Sequence, residues 1–249
     1  MKGFKAIVVD FFWGLVIRIN PSRLERILVR LITHYSSSLT PAEGLRFLFG
    51  LDKDLYRLQG RLSVEYGGGL HTKHRHIRYH DFFVSNISSD ESVLDVGCGI
   101  GAVAYSVAKE TGARVLGVDY VPNQISIAQQ RFKLPNLEFM VGDATDELPV
   151  RHFDVVILSN VLEHIEKRPC LLQNLQLKIS PSRFLIRVPL YERDWRVPLK
   201  KELGVEWRLD EDHKTEYTID SFRDEIDQAG LIVKQLEVHW GEIWSEVAA

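Results

Sequence analysis

The sequence predicts an α/β protein: a doubly wound, mostly parallel sheet preceded by a helical N-terminal segment. Three observations carry this prediction. From Ser92 onward, short apolar runs with strand character alternate with helical segments. A glycine-rich turn containing Gly97, Gly99 and Gly101 joins the first of these strands to the first of these helices. The chain then closes on two β-rich runs meeting at Gly241, the pattern of an antiparallel hairpin.

The chain has 249 residues, 45% of them hydrophobic, and a formal net charge of −3. That length is ample for a packed core. The near-neutral balance argues against general nucleic-acid binding, which needs a basic surface. Cys98 and Cys170 are too few for a disulfide framework or a zinc site, so a reducing, cytoplasmic setting is the expectation. The N-terminus is apolar and lysine-flanked like a signal peptide. However, Asp10 interrupts it, its longest apolar run is Phe11 to Ile17, and no small-residue cleavage site follows. It reads instead as an element packed on the main domain, or as an interfacial anchor through Phe11, Phe12 and Trp13.

Residues 1–72 read as a helical extension and 73–249 as the main domain. Pro21 lies just inside a helix start, with Ser22 and Glu25 at capping-box spacing and Leu24, Ile27, Leu28 and Leu31 repeating at helical spacing. Thr40, Pro41 and Glu43 repeat the start signal. A further helix is predicted over Asp52 to Glu65, ended by Gly67, Gly68 and Gly69. Another is predicted from about Lys73 to Asn86. The strand candidates that follow are SVLDV, RVLGVD, LEFMVGD, FDVVILS and RFLIRVP. The intervening helices start near Gly101, Pro122 and Pro169, with a short turn at Val161. SFRDEIDQAG is a later helix stopped by Gly230.

Gly97, Gly99 and Ala102 satisfy the dinucleotide-binding spacing Gly-x-Gly-x-x-Gly/Ala, and Asp119 follows at a distance suited to a ribose. Taken alone, this fits an NAD-dependent oxidoreductase. Three features point elsewhere. Asp95 precedes the glycines, where an acid accepts from an ammonium but repels a pyrophosphate. Asp143 follows the third strand, where a carboxylate can accept from an adenine amino group. The terminal hairpin leaves no second mononucleotide half. In sum, VLDVGCGIGA, VLGVDYVPNQISIAQQ, LEFMVGDATDELP and FDVVILSNVLEHI resemble, in order, successive motifs of the class I S-adenosylmethionine-dependent methyltransferases.

That resemblance covers about residues 73–249. It implies a Rossmann-like seven-stranded sheet with the last strand antiparallel, and S-adenosylmethionine as cofactor. It also implies roles for individual residues. Gly97 and Gly99 let the backbone approach the methionine part, and Asp119 takes the ribose hydroxyls. Asp143 and the Ala144 N–H frame the adenine. Gln124 lies against ribose or adenine, Asn160 approaches the methionine end, and Arg75 meets the cofactor carboxylate, a bidentate task suited to arginine. Asp119 and Gln124 also fit plain roles, as a helix-start acid and a solvated surface residue.

Methyl transfer to a hydroxyl or ammonium needs a proton acceptor. Asn160, Glu163 and His164 fall at i, i+3, i+4, one face of a helical turn. The alternative is that Glu163 and His164 only organise the turn. The stretch also resembles the ubiquinone-biosynthesis O-methyltransferases, in which a Glu-x-x-Glu-His set binds a divalent ion. Here Asn160 replaces the first Glu, and no metal is expected. The second candidate base is His213, four residues before Tyr217 and flanked by Asp212 and Glu216; the same segment also reads as a loop capping the next helix. An insertion over about 190–216 carries Tyr191, Trp195 and Trp207, which cover an acceptor face or pack the insertion down. The four histidines from His71 to His80 read as a basic lid rather than a metal site. Pro169–Cys170 reads as a helix start, not a cytosine-methylating nucleophile, and no Asn/Asp-Pro-Pro-Tyr/Phe follows the fourth strand. The expectation is methyl transfer to oxygen or nitrogen of a small-molecule, glycan or lipid-linked acceptor, without nucleic acid and with weak membrane-surface contact through the N-terminus. A protein that binds the cofactor without catalysis is the alternative from another class.

Overall fold

The computed structural model describes residues 14, 16–69, 71–144, 148 and 151–248. The aromatic cluster Phe11–Trp13 lies outside them. The chain divides into two compact units: residues up to Gly60 with Glu202–Val205, and Arg61–Lys201 with Glu206–Ala249.

The first unit is built on helix α1 (Pro21–Ser37) and most of α2 (Pro41–Tyr66). The α1 start differs from expectation. Asn20 is the cap, its side chain accepting from the Ser22 N–H at 3.0 Å, and Pro21 takes the first position. The α2 start is as expected: Thr40 and Glu43 form a reciprocal capping box, with Thr40 Oγ1 donating to Glu43 at 2.6 Å. The two helices predicted over residues 41–65 are one continuous helix. Gly50 lies inside it, and one interior glycine costs a helix only about 1 kcal/mol. Gly44 lets α2 approach α1 closely, since a Cβ there would come 3.1 Å from the Ser36 carbonyl oxygen. The Tyr35 and Phe47 rings meet edge to face at 4.8 Å. The apolar stripe of α1 stays largely uncovered: Ile27, Leu28 and Leu31 are exposed.

In the second unit, the helix predicted over residues 73–86 is two helices, α3 (Lys73–Ile77) and α4 (Tyr79–Ser85), broken where Arg78 adopts a left-handed backbone (φ 54°). There follow β1 (Ser92–Val96), α5 (Ala102–Thr111), β2 (Arg114–Asp119), α6 (Pro122–Arg131), β3 (Leu137–Val141) and β4 (Val155–Ser159). The chain continues through α7 (Arg168–Ile179), β5 (Arg183–Pro189), α8 (Arg196–Glu202), α9 (Ile219–Gln228), β6 (Ile232–His239) and β7 (Glu242–Ala248). The seven strands lie in the order β3-β2-β1-β4-β5-β7-β6. All are parallel except β7, which is antiparallel to both β5 and β6. Trp240 and Gly241, both at positive φ, make the two-residue turn of the final hairpin.

Alternation along the strands serves two cores. Leu94, Val96, Leu158 and Ile186 face α7 and α9; Val93, Val155, Ile157 and Leu185 face α4 and α5. A sheet buried on both faces explains the near-continuous apolar runs of β4 and β5. Asp95 shares the period-2 face of Val93 and is 1% exposed. A charged residue is thereby fixed inside the sheet, next to the glycine turn. The chain runs outward through β1, β2 and β3, then returns to β4 beside β1. Such a reversal opens a crevice at the C-terminal strand ends, where ligands bind in open α/β sheets.

Candidate active site

A cleft of about 630 Å³ occupies that crevice. Its floor is the turn after β1. Gly97 (φ 68°) and Gly99 (φ 53°) both need the left-handed backbone open to glycine. A Cβ on Gly97 would strike Val161 at 2.7 Å, whereas one on Gly99 would meet no protein atom and would occupy the cleft instead. The Asp119 carboxylate, at the end of β2, accepts from the Gly99 and Val121 N–H groups, both at 2.9 Å. It therefore ties the glycine turn to the next strand end.

Asp95 lines the same cleft. Its Oδ2 is buried with no hydrogen-bond partner. Burial, reinforced by the charge of Asp119, pushes its pKa up to about 7. A buried acceptor without a donor is costly, and here it faces a cavity. Asn160, after β4, supplies a second such atom. It is held at φ 56° with its N–H on the Arg187 carbonyl at 2.8 Å, and its Oδ1 is buried without a partner. Glycines that leave space, an acceptor for an ammonium and a further polar atom at the crevice fit an amino-acid-bearing nucleoside.

The wall comes from α3, α4 and β5. Arg187 forms a buried, two-pronged ion pair with Glu242 (Nε to Oε2, 2.7 Å), and its guanidinium lies 3.9 Å from the centre of the Tyr79 ring. Tyr79 is pushed up to about 12 by burial. Lys73 and His74 also line the cleft, both lowered by burial. Sequence reasoning missed this wall, although an arginine inside the apolar run RFLIRVP is a visible signal. Arg75, by contrast, does not line this cleft. It is exposed, borders a separate cavity, and lies over the Tyr66 ring at 5.7 Å. Lys73 and His74, on the same short helix, border the crevice instead. Gln124 is half-buried in the first turn of α6. Asp143 is exposed just beyond β3 and Ala144 packs on the core.

Beyond Asn160, the turn after β4 is a single 3-10 turn, Leu162–His164. Asn160 lies outside it, so Asn160, Glu163 and His164 do not share a helical face. Glu163 is instead fully buried, and neither carboxylate oxygen has a partner. Burial pushes its pKa up to about 7, against the pull of His213 and Arg187. The segment before α9 docks on this turn: the Lys214 N–H donates to the Glu163 carbonyl at 2.7 Å. This brings the two predicted histidines together, with ring centres 4.7 Å apart, edge to face. His164 Nδ1 lies 3.1 Å from Asp212, and His213 Nδ1 lies 3.3 Å from the buried Glu216. Glu216 also accepts from Arg193 and the Leu209 N–H. Tyr217 belongs to the core, its hydroxyl donating to Glu225. In the insertion, Tyr191 and Trp207 pack on each other at 5.4 Å and Trp195 is exposed.

A family model described as a methyltransferase domain matches residues 87–223, more than half of the chain. The chain belongs to the class I S-adenosylmethionine-dependent methyltransferases. Among curated relatives, this methyltransferase is 31% identical to phosphoethanolamine N-methyltransferase 1 of Arabidopsis thaliana, over 53% of this chain and 28% of that protein. It is also 31% identical to the ubiquinone biosynthesis O-methyltransferase of Rickettsia conorii, over 71% of this chain and 61% of that one. The methyltransferase thus spans less than two thirds of the length of these relatives. Its fold is similar to that of a chain in the Haloferax volcanii complex containing the Trm112 methyltransferase activator (TM-score 0.59, 17% identity, covering 76% of this chain and 97% of that one). A second similar fold is magnesium protoporphyrin IX methyltransferase from Synechocystis with bound SAH (TM-score 0.55, 18% identity, 70% and 83%).

Proposed function

We propose that this methyltransferase moves the methyl group of S-adenosylmethionine to an oxygen or nitrogen of a small acceptor that reaches the His164–His213 pair, on the turn following Asn160. The observation that carries this reading is the pair of buried, unpartnered oxygens of Asp95 and Asn160 lining the cleft beside the glycine turn, with the paired histidines on the turn that follows Asn160. S-adenosylmethionine, when bound, supplies an already activated methyl group. The chain's own work is then to orient and to exclude water. Gly97 and Gly99 give backbone approach, Asp95 receives an ammonium, and Asp119 holds the turn while offering remaining lone pairs to ribose hydroxyls. His164 is the part-exposed imidazole at the acceptor end, oriented by Asp212, and takes the acceptor's proton. His213 and Glu163 back it from the interior.

His164→Ala is expected to lower kcat by about 10²- to 10⁴-fold with S-adenosylhomocysteine affinity unchanged. An unchanged kcat, measured on an acceptor found by screening hydroxylated and amine compounds, contradicts the assignment. The exposed stripe of α1, flanked by Arg23, Arg26 and Arg30, further supports an acceptor presented at a lipid surface. Binding of the full chain to anionic vesicles tests that extension.

A further inference from the structure

The segment His71–His80 carries four histidines with Lys73, Arg75 and Arg78, and the methyl-transfer reading uses little of it. The cavity that Arg75 borders has a volume of about 580 Å³. It is lined by His74, Arg75, Arg78 and His80 from this segment, by Ser85 of α4 and by Ser106 of α5. His74, His80 and Ser106 also line the cleft, so the two spaces share a wall. Three observations give this side cavity the character of an anion site. The first concerns donors. The Ser106 hydroxyl lies 2.7 Å from His80 Nδ1, and the Tyr79 hydroxyl lies 2.8 Å from His74 Nδ1. With each hydroxyl donating, each Nε2 carries the ring hydrogen and is a donor. The Nε2 of His80 is buried and has no partner, which is costly until an acceptor meets it. The second is Arg75, which makes no ion pair among the described residues. Its guanidinium lies against the Tyr66 ring at 5.7 Å, a contact that leaves its charge unneutralised. The third is the surrounding charge. The two carboxylates that border the cavity are already paired, Asp81 with Arg78 at 2.5 Å and Glu110 with Lys109 at 3.7 Å. Burial lowers both imidazoles, His80 to about 4. Lys73, His71 and Arg187 lower His74 further, and His74 and Arg187 lower His80 further, against a pull from Asp81. An anion relieves that repulsion, whereas a cation adds to it.

We infer that this side cavity binds a phosphate group, held by Arg75, His80 and Ser106, with His74 at the wall it shares with the cleft. The donors belong to α3, α4 and α5. Tetrahedral phosphate oxygens accept from several directions at once, whereas a carboxylate accepts close to one plane. A guanidinium without a carboxylate partner suits phosphate recognition in the same way. The site takes nothing from the proton-acceptor role given to His164, which lies elsewhere. It rests on the methyl-transfer reading in one respect: the shared wall lets a phosphorylated acceptor extend from this cavity into the cleft. Free phosphate presents the same chemistry, and affinity tells the two sources apart.

The test is calorimetric titration of the full chain, at fixed ionic strength, with inorganic phosphate, with glycerol 3-phosphate and with acetate, each with and without saturating S-adenosylhomocysteine. Saturable binding of both phosphates is expected, with acetate weaker by about tenfold or more. Arg75→Gln is expected to weaken phosphate binding by about 10- to 100-fold, because it removes a charge-assisted pair, and His80→Gln by about 5- to 10-fold. Arg75 is exposed, so its variant keeps the test valid if His80→Gln impairs folding. Arg114→Gln, at the start of β2, should change nothing. A monoester that binds about tenfold tighter than inorganic phosphate supports the site and assigns the group to an acceptor; equal affinities support it as a site for free phosphate. Absent phosphate binding, acetate binding of equal strength, or phosphate binding that survives Arg75→Gln unaltered overturns it. S-adenosylhomocysteine affinity of the same variants reports separately on the cofactor reading, and Arg75→Gln should leave it within about twofold. A larger loss there, with phosphate binding intact, returns Arg75 to the cofactor and overturns the site.

Discussion

Under the proposed function, Asp95 ties a buried carboxyl group to cofactor affinity. Its pKa of about 7 in the unliganded protein reflects burial and the neighbouring Asp119. A bound ammonium favours the ionised form, so the bound pKa is lower. Below pH 7 binding must therefore expel a proton. Affinity for S-adenosylhomocysteine should fall as pH drops through about 7, by up to about tenfold per pH unit until the bound pKa is reached. Above pH 7 it should be flat, and Asp95→Asn should remove the slope. Calorimetry across that range checks this; a pH-independent affinity in the parent protein contradicts it. Sequence made Asp95 legible because an acid in an apolar strand stands out. The cradle residues Gly97 and Gly99 were equally legible, since spacing alone marks a glycine turn. The location of Arg75 was not, because which face of the short helix α3 meets the cleft is set by tertiary packing.

At the scale of elements, strands and most helix starts were readable from apolar runs, capping residues and glycines. What failed were continuity and packing. The helix starting at Pro41 and the one expected over Asp52 to Glu65 are continuous, and the turn after β4 was a single 3-10 turn rather than an α-helical face. The docking of 208–217 onto that turn was invisible, because a loop held by backbone bonds to Glu163 carries no periodicity. The cap of α1 was misplaced by two residues, but its amphipathic pattern was clear. That pattern has a consequence. An exposed apolar face beside Arg23, Arg26 and Arg30 should bind anionic vesicles, with each arginine contributing about 1 kcal/mol near the surface. Co-sedimentation of the full chain with phosphatidylserine-containing vesicles is expected to fall sharply in a Leu28→Glu, Leu31→Glu double variant. Equal recovery of both proteins contradicts membrane contact through α1.

The whole molecule joins a helical unit to a cofactor-type sheet whose switch point gathers residues from distant parts of the chain. A seven-stranded sheet with its last strand antiparallel was expected from four motifs in sequence and a terminal hairpin; the place of β7 between β5 and β6 emerges only in the structure. The wall of the cleft was not, since Arg187 and Glu242 meet only when the hairpin folds back onto β5. The same closure carries Trp244 into the core beside Phe82, so one late element completes both the sheet and the site wall. The central claim is that this crevice is built for an amino-acid-bearing nucleoside and not for a dinucleotide. The most direct measurement is calorimetric titration of the full chain with S-adenosylhomocysteine and, in parallel, NAD. The account predicts one site with a Kd in the micromolar range for S-adenosylhomocysteine, weakened about 10- to 100-fold by Asp119→Ala, since that change removes charge-assisted hydrogen bonds worth roughly 1.5–3 kcal/mol. It predicts no heat from NAD. Binding of NAD alone, or of neither compound by the folded protein, would contradict it.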